Sequence, residues 1–404
     1  MFLNNGFTAA GAVQLLQASI TGTLNCGSAQ ITGADKGGNA LGADGFTVAG
    51  GVFLNNGFTA AGAVRLPDAS IAGQLVCRDA RITGTDQEGY ALNADGVTVG
   101  GAMLLDGNLM AAGAVRLSAA CIFGSLRLDG ATLANPVALL AEGATLGQQL
   151  VWAPAKAVTG LVSLERTQLH RLDDDWSNDG AYWTAEGKLR LAGFVYDGFG
   201  GRTTATCPQR LKWIRGQHRK PPPGKAVSFD PQPYEQLARV YRQAGQDTEA
   251  RQIAIAARSD LRTYGNPGWW RFTANWLLDV TIRHGYEPLR AVVMLVAVFA
   301  VAFRLFWGAQ HQDALMVPAK DTASLHPPPT TTDCTSDYPC FYPFGYAIDV
   351  TIPIIKTGQA ENWRPDGAAP WGWVFLAGTW VFTGLGWAFT TLAVAGYTGL
   401  IRND

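Results

Sequence analysis

The residues best suited to chemistry in this sequence are six cysteines, five histidines and one run of three aspartates. Cys334 and Cys340 are close together in sequence, with a separation that allows a disulfide. An unpaired or ligand-binding cysteine pair is the alternative, although no histidine or further cysteine at a recognised spacing completes a zinc site.

Asp173, Asp174 and Asp175 are adjacent in the sequence. Because adjacent carboxylates rarely converge on one ion, a solvated turn is favoured there over a metal cluster.

The familiar motifs of cofactor binding and catalysis do not occur. No G-x-G-x-x-G turn joins a strand to a helix, and haem-attachment, redox C-x-x-C and iron–sulfur spacings are missing. Neither G-x-S-x-G nor H-E-x-x-H nor a P-loop is found. With Lys+Arg 31 against Asp+Glu 32, the charge gives no sign of a nucleic-acid partner. We therefore predict no cofactor and no metal, and the balance is against an enzyme.

An internal repeat dominates the first part of the chain. FLNNGFTAAGAV occupies 2–13 and recurs unchanged at 53–64, and a variant, LLDGNLMAAGAV, occupies 104–115. Inside each long unit, alternating apolar residues, then a small residue and a glycine, make strand-like steps. This self-similarity predicts a parallel β-helix over 1–155, with turns of about two dozen residues and, by the general rule for parallel crossovers, a right-handed coil.

The repeat also predicts which side chains point inward. Glycines and alanines should take the corners of the coil. Cys26 and Cys77 occupy equivalent positions two coils, roughly 10 Å, apart, beyond disulfide reach, and are expected to be buried as small hydrophobes. The residues expected to stack inside the coil are Ile20, Ile31, Ile71, Ile82, Ile122 and Leu133.

After the repeat the composition changes, and we divide the middle of the chain in two. Residues 156–232 should form capping strands, including Leu191–Asp197 (LAGFVYD), and a basic, proline-rich linker. Residues 233–263 have apolar positions at helical spacing, broken at Gly245, and predict a helical hairpin.

The last part of the sequence predicts two membrane spans. The expected order is an interfacial amphipathic segment at 264–288, a first transmembrane helix at 289–308, an extracytoplasmic loop at 309–371, a second transmembrane helix at 372–397 and a cytoplasmic tail at 398–404. Basic residues flank the spans and are expected to face anionic lipid on the inner side: Arg271, Arg283, Arg290 and Arg402. Together with the missing signal peptide, they predict a multi-pass plasma-membrane protein with both termini in the cytoplasm.

One stretch of the predicted outer loop, Tyr342–Thr357, is unusually apolar. Its place between two spans is similar to the re-entrant segment of two-span ion channels, although no TVGYG filter is present. An interfacial helix resting on the outer leaflet is the favoured alternative. The residues that would line a pore or the interface are Tyr346, Asp349, Thr351 and Lys356.

Several segments together resemble a group of actinobacterial membrane proteins commonly labelled "membrane-associated oxidoreductase". They are the repeat FLNNGFTAAGAVRLPDASIAGQL, LAGFVYD, QPYEQLARVYRQAG, and the tail from YPFGYAIDVTIPI to GWAFTTLAVAGYTGLIR. The A-x-[IL]-x-G steps, such as Ala29-Ile31-Gly33, resemble pentapeptide-repeat-like β-helices.

The oxidoreductase label of the resembling group would imply redox activity. The residues themselves favour a membrane-anchored scaffold that contacts lipids and either a protein partner or further copies of itself. An oligomeric channel-like or sensor protein is the first alternative, and a membrane oxidoreductase is the second.

Overall fold

The computed structural model describes residues 1–4, 6–133, 136–177, 182–184, 186–201, 203–218, 229–265, 273, 289–311, 315–320, 330–331 and 338–398. Its internal contacts divide the chain into two compact units, Met1–Asn266 and Pro267–Asp404.

The first unit begins with a parallel β-solenoid of about eight turns, which confirms the predicted β-helix. A typical turn contributes four short strands, each paired in parallel with the turns before and after it. The first column contains β1 (Thr8–Ala9), β5 (Gln30–Ile31), β9 (Thr59–Ala60), β13 (Arg81–Ile82), β17 (Met110–Ala111) and β21 (Thr132–Leu133). The second contains β2 (Val13–Gln14), β6 (Asn39–Gly42), β10 (Ala63–Arg65), β14 (Tyr90–Asn93), β18 (Ala114–Arg116), β22 (Val137–Leu140), β25 (Leu161–Ser163) and β27 (Leu189–Arg190).

The other two columns join through one long strand near the end of the solenoid. The third column contains β3 (Ser19–Ile20), β7 (Thr47–Val48), β11 (Ser70–Ile71), β15 (Thr98–Val99), β19 (Cys121–Ile122) and β23 (Thr145–Leu146). The fourth contains β4 (Leu24–Asn25), β8 (Val52–Phe53), β12 (Leu75–Val76), β16 (Met103–Leu104), β20 (Leu126–Arg127) and β24 (Gln149–Trp152). Both columns end on β26 (Gln168–Asp174), which also pairs with β28 (Val195–Gly200).

Coils of two lengths alternate over the first part of the solenoid, and this explains the 51-residue repeat. In the later coils the pairs Thr98–Cys121, Cys121–Thr145 and Thr145–Gln168 are 23, 24 and 23 residues apart. Thr8 pairs with Gln30, 22 residues on, whereas Gln30 pairs with Thr59, 29 residues on. The same alternation follows at Arg81 and Met110. Each long coil carries an additional loop after its first strand, at 32–38 and at 83–89. One repeat unit is therefore a short coil plus a long coil.

The predicted inner residues form two separate stacks inside the solenoid. In one, Ile20, Val48, Ile71, Val99, Ile122 and Leu146 are partners in successive coils. In the other, the partners are Ala9, Ile31, Ala60, Ile82, Ala111 and Leu133. Nearly all of these side chains are buried, the exceptions being Ala9 and Ile20 in the first coil. Cys26 and Cys77 are also buried and free, as predicted, and burial raises the pKa of the two thiols to about 11 and about 12.

One corner of the solenoid has a left-handed backbone conformation in all eight coils. Glycine takes this corner in four coils, but other residues take it in the rest, so the prediction of glycine and alanine corners is only partly correct. The eight residues, with φ between 54° and 72°, are Gln17, Gly45, Asp68, Gly96, Ala119, Gly143, Arg166 and Gly193. Only glycine adopts this conformation without strain.

The solenoid continues past residue 155, where we predicted its end. β25 to β28 carry the ladder on to Gly200, because Val162, Leu164, Leu169 and Leu172 keep apolar side chains inside the coil. Three helices follow: α1 (Cys207–Arg215), α2 (Gln232–Gln243) and α3 (Asp247–Tyr264). The last two form the predicted hairpin, whereas α1 lies in the stretch predicted to be strands and linker.

The second unit contains two helices that are long and apolar enough to cross a membrane. They are α4 (Leu289–Gln310) and α7 (Gly372–Tyr397), with mean hydropathies of 2.3 and 1.2 over their apolar windows. Only 17% and 11% of those windows is buried, unlike the core helices of a soluble domain. Between them lie β29 (Met316–Pro318), α5 (Pro343–Thr351), α6 (Gln359–Asn362) and β30 (Trp363–Pro365), with β29 and β30 antiparallel. The predicted interfacial segment, 264–288, falls almost entirely outside the described residues, as does the tail beyond Thr398.

Candidate functional site

Within the second unit, α5 lies against both long apolar helices. The ring of Phe344 contacts Phe299 and Phe303 of α4, with centroids 5.3 and 5.8 Å apart. Tyr346 packs edge-on against Phe306, at 4.6 Å. Since Phe299 is near the middle of the 22-residue α4, these contacts extend well along that helix.

The other end of α5 reaches the middle of α7. A Cβ atom on Gly386 would lie 2.1 Å from the carbonyl oxygen of Thr351, so only glycine allows this approach. Gly386 is about 21 Å along α7 from its first residue, at 1.5 Å per residue. A helix resting across the outer ends of α4 and α7 would not make this contact. Its contacts therefore place α5 beside the middles of α4 and α7 and not across their ends.

After Thr351 the chain folds back along α5 as a return loop, residues 352–358. Asp349 holds this loop, because its carboxylate accepts hydrogen bonds from the backbone N–H groups of Thr357 and Ala360. The Thr357 hydroxyl donates to the carbonyl oxygen of Gly345, at 3.1 Å. Gln359 accepts from the Tyr342 N–H and donates to the Cys340 carbonyl, which ties the end of the loop to the start of α5.

These contacts place the four candidate pore or interface residues. Tyr346 is 2% exposed and Thr351 is fully buried, with its hydroxyl donating to the Ala347 carbonyl. Asp349 is half-buried and engaged with backbone N–H groups, whereas Lys356 is exposed on the return loop. Asp349 thus holds the return loop, whereas Tyr346 packs against α4 and Thr351 bonds within α5. Lys356 is the one of the four whose side chain is open to a ligand or a neighbouring chain.

The predicted disulfide and basic residues are described only in part. Cys340 is disulfide-bonded. Cys334 lies outside the described residues, so its pairing with Cys340 stays a prediction. Arg290 is half-exposed in the first turn of α4, while Arg271, Arg283 and Arg402 lie outside the described residues.

The prediction of a solvated turn at 173–175 is wrong for Asp174, which lies at the end of the solenoid. Its carboxylate is buried, and it accepts hydrogen bonds from the indole N–H groups of Trp176 and Trp183 and from both terminal nitrogens of Arg210. The Arg210 guanidinium lies 3.7 Å from the ring centroid of Phe199. Alternation along β26 explains the burial, because Asp174 follows Leu172 on the inner side.

Next to this ion pair is a surface cleft of about 520 Å³ lined by Arg127, Asp129, Gln149, Val151, Ala153, Asp173, Asp174, Asp175 and Gly201. Most of its charged side chains are already paired: Arg127 bonds Asp129 within the cleft, and Asp173 accepts hydrogen bonds from the neighbouring Arg171. Nowhere among the described residues do three or more histidines, cysteines or acids form a group that could hold a metal ion.

The helices of the first unit share a second polar network. Tyr234 donates its hydroxyl proton to Asp260, at 2.8 Å, and Asp260 also accepts two hydrogen bonds from Arg215. The Nε2 atom of His218 is 2.9 Å from the Tyr234 oxygen and must be the donor, since the phenol proton is already used. Burial lowers the pKa of His218 below its ordinary value of 6.5. The network links α1, α2 and α3 and shows no open site.

The comparisons with known proteins leave the family open: no protein-family model, curated protein or solved structure matches this chain. Functional inference therefore depends on the geometry.

Proposed function

We propose that this protein is a membrane-anchored scaffold, with the β-solenoid as its binding surface, α4 and α7 as its membrane spans, and both termini in the cytoplasm. The observation that carries the proposal is a straight column of outward side chains in seven successive coils. Its members are Ser19, Thr47, Ser70, Thr98, Cys121, Thr145 and Gln168.

This column suits an extended protein partner. All its members except Cys121 are exposed, and coils about 4.8 Å apart extend it over roughly 30 Å. A repeat array creates such a long, regular surface without any single deep pocket. The polar hydroxyl groups would pair with a polar partner surface, and the apolar faces of α4 and α7 would contact membrane lipids.

Site-specific photocrosslinking in the native membrane tests the scaffold. A photoreactive residue is placed at Thr98 of the full chain, and a matched one at Glu361 of the second unit, which is also exposed. We expect a discrete protein adduct from Thr98 and not from Glu361, and its loss when Thr47 and Thr145 are both replaced by lysine. A chain that stays membrane-bound but gives no adduct along the column would contradict the scaffold.

A channel-like role is the second candidate, and one observation favours it. α5 ends beside the middle of α7, so that its carbonyl end, which carries the negative end of the helix dipole, points into the depth of the predicted span. Discontinuous helices placed in this way attract cations in channels and transporters. Purified full chain in liposomes should then pass monovalent cations, and vesicles that show no flux above protein-free controls would remove this candidate.

A further inference from the structure

The return loop is irregular backbone that starts at the depth of the predicted bilayer core. It begins at Ile352, directly after the Thr351 carbonyl that contacts Gly386 near the middle of α7. Within the described part of the chain, no donor reaches the carbonyl groups of Pro353, Ile354, Ile355 or Lys356. Four successive carbonyls therefore have no donor among the residues that the structure describes.

The same loop is also uncovered on its outer side. Ile354 is 75% exposed and Ile355 is 50% exposed, and Lys356 beside them is exposed as well. In hydrocarbon, an unpaired backbone carbonyl costs several kcal/mol, so irregular backbone occurs at this depth only where protein covers it or where it lines a water-filled cavity. Lipid alone cannot satisfy both the carbonyls and the Lys356 ammonium.

We infer that a second copy of this chain covers the return loop, so that copies meet around the loops of their re-entrant hairpins and enclose a polar, water-filled space. The inference depends on the proposed membrane spans, and it deepens the channel-like candidate by naming its interface. The loop carbonyls and Lys356 face the enclosed space.

The depth of the loop argues for a copy of the same chain as the occupant. Copies related by an axis normal to the membrane sit at one depth, so the return loop of one copy meets the open face of α7 at Gly384 of the next copy. That part of α7 carries no charge and is open: Trp380 is 69% exposed, Trp387 is 58% exposed, and a Cβ on Gly384 would meet nothing within 4 Å. The open space at Gly384 can accept a bulky side chain such as Ile354.

Cysteine crosslinking in membranes tests this interface. Full chain with Cys121→Ser, which removes a half-exposed thiol, carries either Ile354→Cys or Val293→Cys. Val293 is a matched control, because it is 62% exposed on α4, where the backbone is fully hydrogen-bonded within the helix. A short bis-maleimide should convert most of the Ile354→Cys chain, and little of the Val293→Cys chain, into dimers and higher multimers. The Ile354→Cys/Gly384→Cys pair should also form intermolecular disulfides.

The outcomes separate the interface from the membrane anchor. An Ile354→Cys chain that resists alkaline extraction but stays monomeric under the crosslinker overturns the inference and leaves the scaffold intact. Equal crosslinking of the two cysteines overturns it too, since that indicates random collision. A chain that alkaline extraction releases from the membrane overturns the inference together with the proposed spans.

Discussion

Asp174 and Arg210 form a two-point ion pair across 36 residues of sequence, with Nη1–Oδ2 and Nη2–Oδ1 distances of 2.6 and 2.7 Å. Neither side chain is more than 1% exposed. The pair joins β26 of the solenoid to α1. Four tryptophan and phenylalanine rings surround or contact it, namely Trp176, Trp183, Phe199 and Trp213.

Breaking this pair should strongly destabilise the first unit. Asp174→Asn leaves a buried guanidinium without a counter-charge, and we expect a loss of roughly 3–5 kcal/mol in the free energy of unfolding. Asp173→Asn is the control, because the Arg171 partner of Asp173 is 53% exposed and an exposed pair contributes roughly 0–1 kcal/mol. Urea unfolding followed by tryptophan fluorescence measures both. Equal effects would show that the burial of Asp174 does not govern its contribution.

The left-handed corner predicts stability changes of opposite sign. Gly143 has φ +70° and open space around it, so Gly143→Ala tests backbone strain alone and should cost roughly 1 kcal/mol. Ala119, with φ +56°, holds the same corner one coil earlier, and Ala119→Gly should be neutral or stabilising. Gly22→Ala is the control, since Gly22 is open but lacks a positive φ. In thermal unfolding, Gly143→Ala should lower the Tm, whereas Ala119→Gly and the control Gly22→Ala should leave it unchanged or raise it.

Acidification should weaken the helical part of the first unit through His218. Because its pKa is lowered in the folded state, the unfolded chain binds the proton first as the pH falls. Stability should therefore be complete above pH 6.5, decline below it, and level off below the folded-state pKa. Asp260, Arg215 and Asp230 are the charged groups that act on the imidazole.

His218→Phe isolates this effect. It keeps a ring between Phe229 and Tyr264, which stack on His218 at 5.1 and 4.7 Å, but removes the titration. The urea midpoint of the variant should change less between pH 7.5 and 5 than that of the unaltered chain. An identical pH profile would assign the dependence to other groups.

Because Asp349 holds the return loop through two hydrogen bonds, its removal should make the loop more sensitive to protease. Asp349→Ala leaves the N–H groups of Thr357 and Ala360 without their acceptor, at a cost of roughly 1–3 kcal/mol to the closed loop. Trypsin should then cut detergent-solubilised protein faster after the exposed Lys356, as mass spectrometry of the fragments would show. Lys356→Gln in the same background removes the cleavage site. Unchanged cutting would mean that Asp349 does not hold the loop.

The sequence was most informative where one coil predicts the next. The recurrence of FLNNGFTAAGAV predicts the coil, its inner isoleucines and the burial of Cys26 and Cys77, because each residue repeats its environment every 51 positions. It does not predict that Asp174 is buried, since the partner, Arg210, lies on a helix outside the repeat. The sequence does not predict the contact between Thr351 and Gly386 either. The two apolar segments are long enough to be predicted as spans, but their sequences do not show which glycine packs against which carbonyl.

The alternation of coil lengths also limits which insertions and deletions of coils the solenoid can accept. Loops of successive long coils touch across the short coil between them, where Gln87 donates to the carbonyl oxygens of Gly37 and Lys36. The short coil passes beneath at Gly62, whose Cβ would lie 2.4 Å from the Gly38 carbonyl oxygen. Removing the short coil alone would bring the two loops onto adjacent turns about 4.8 Å apart. Loss of a short coil between two long ones should therefore be tolerated only together with one of those long coils, a step of 51 codons.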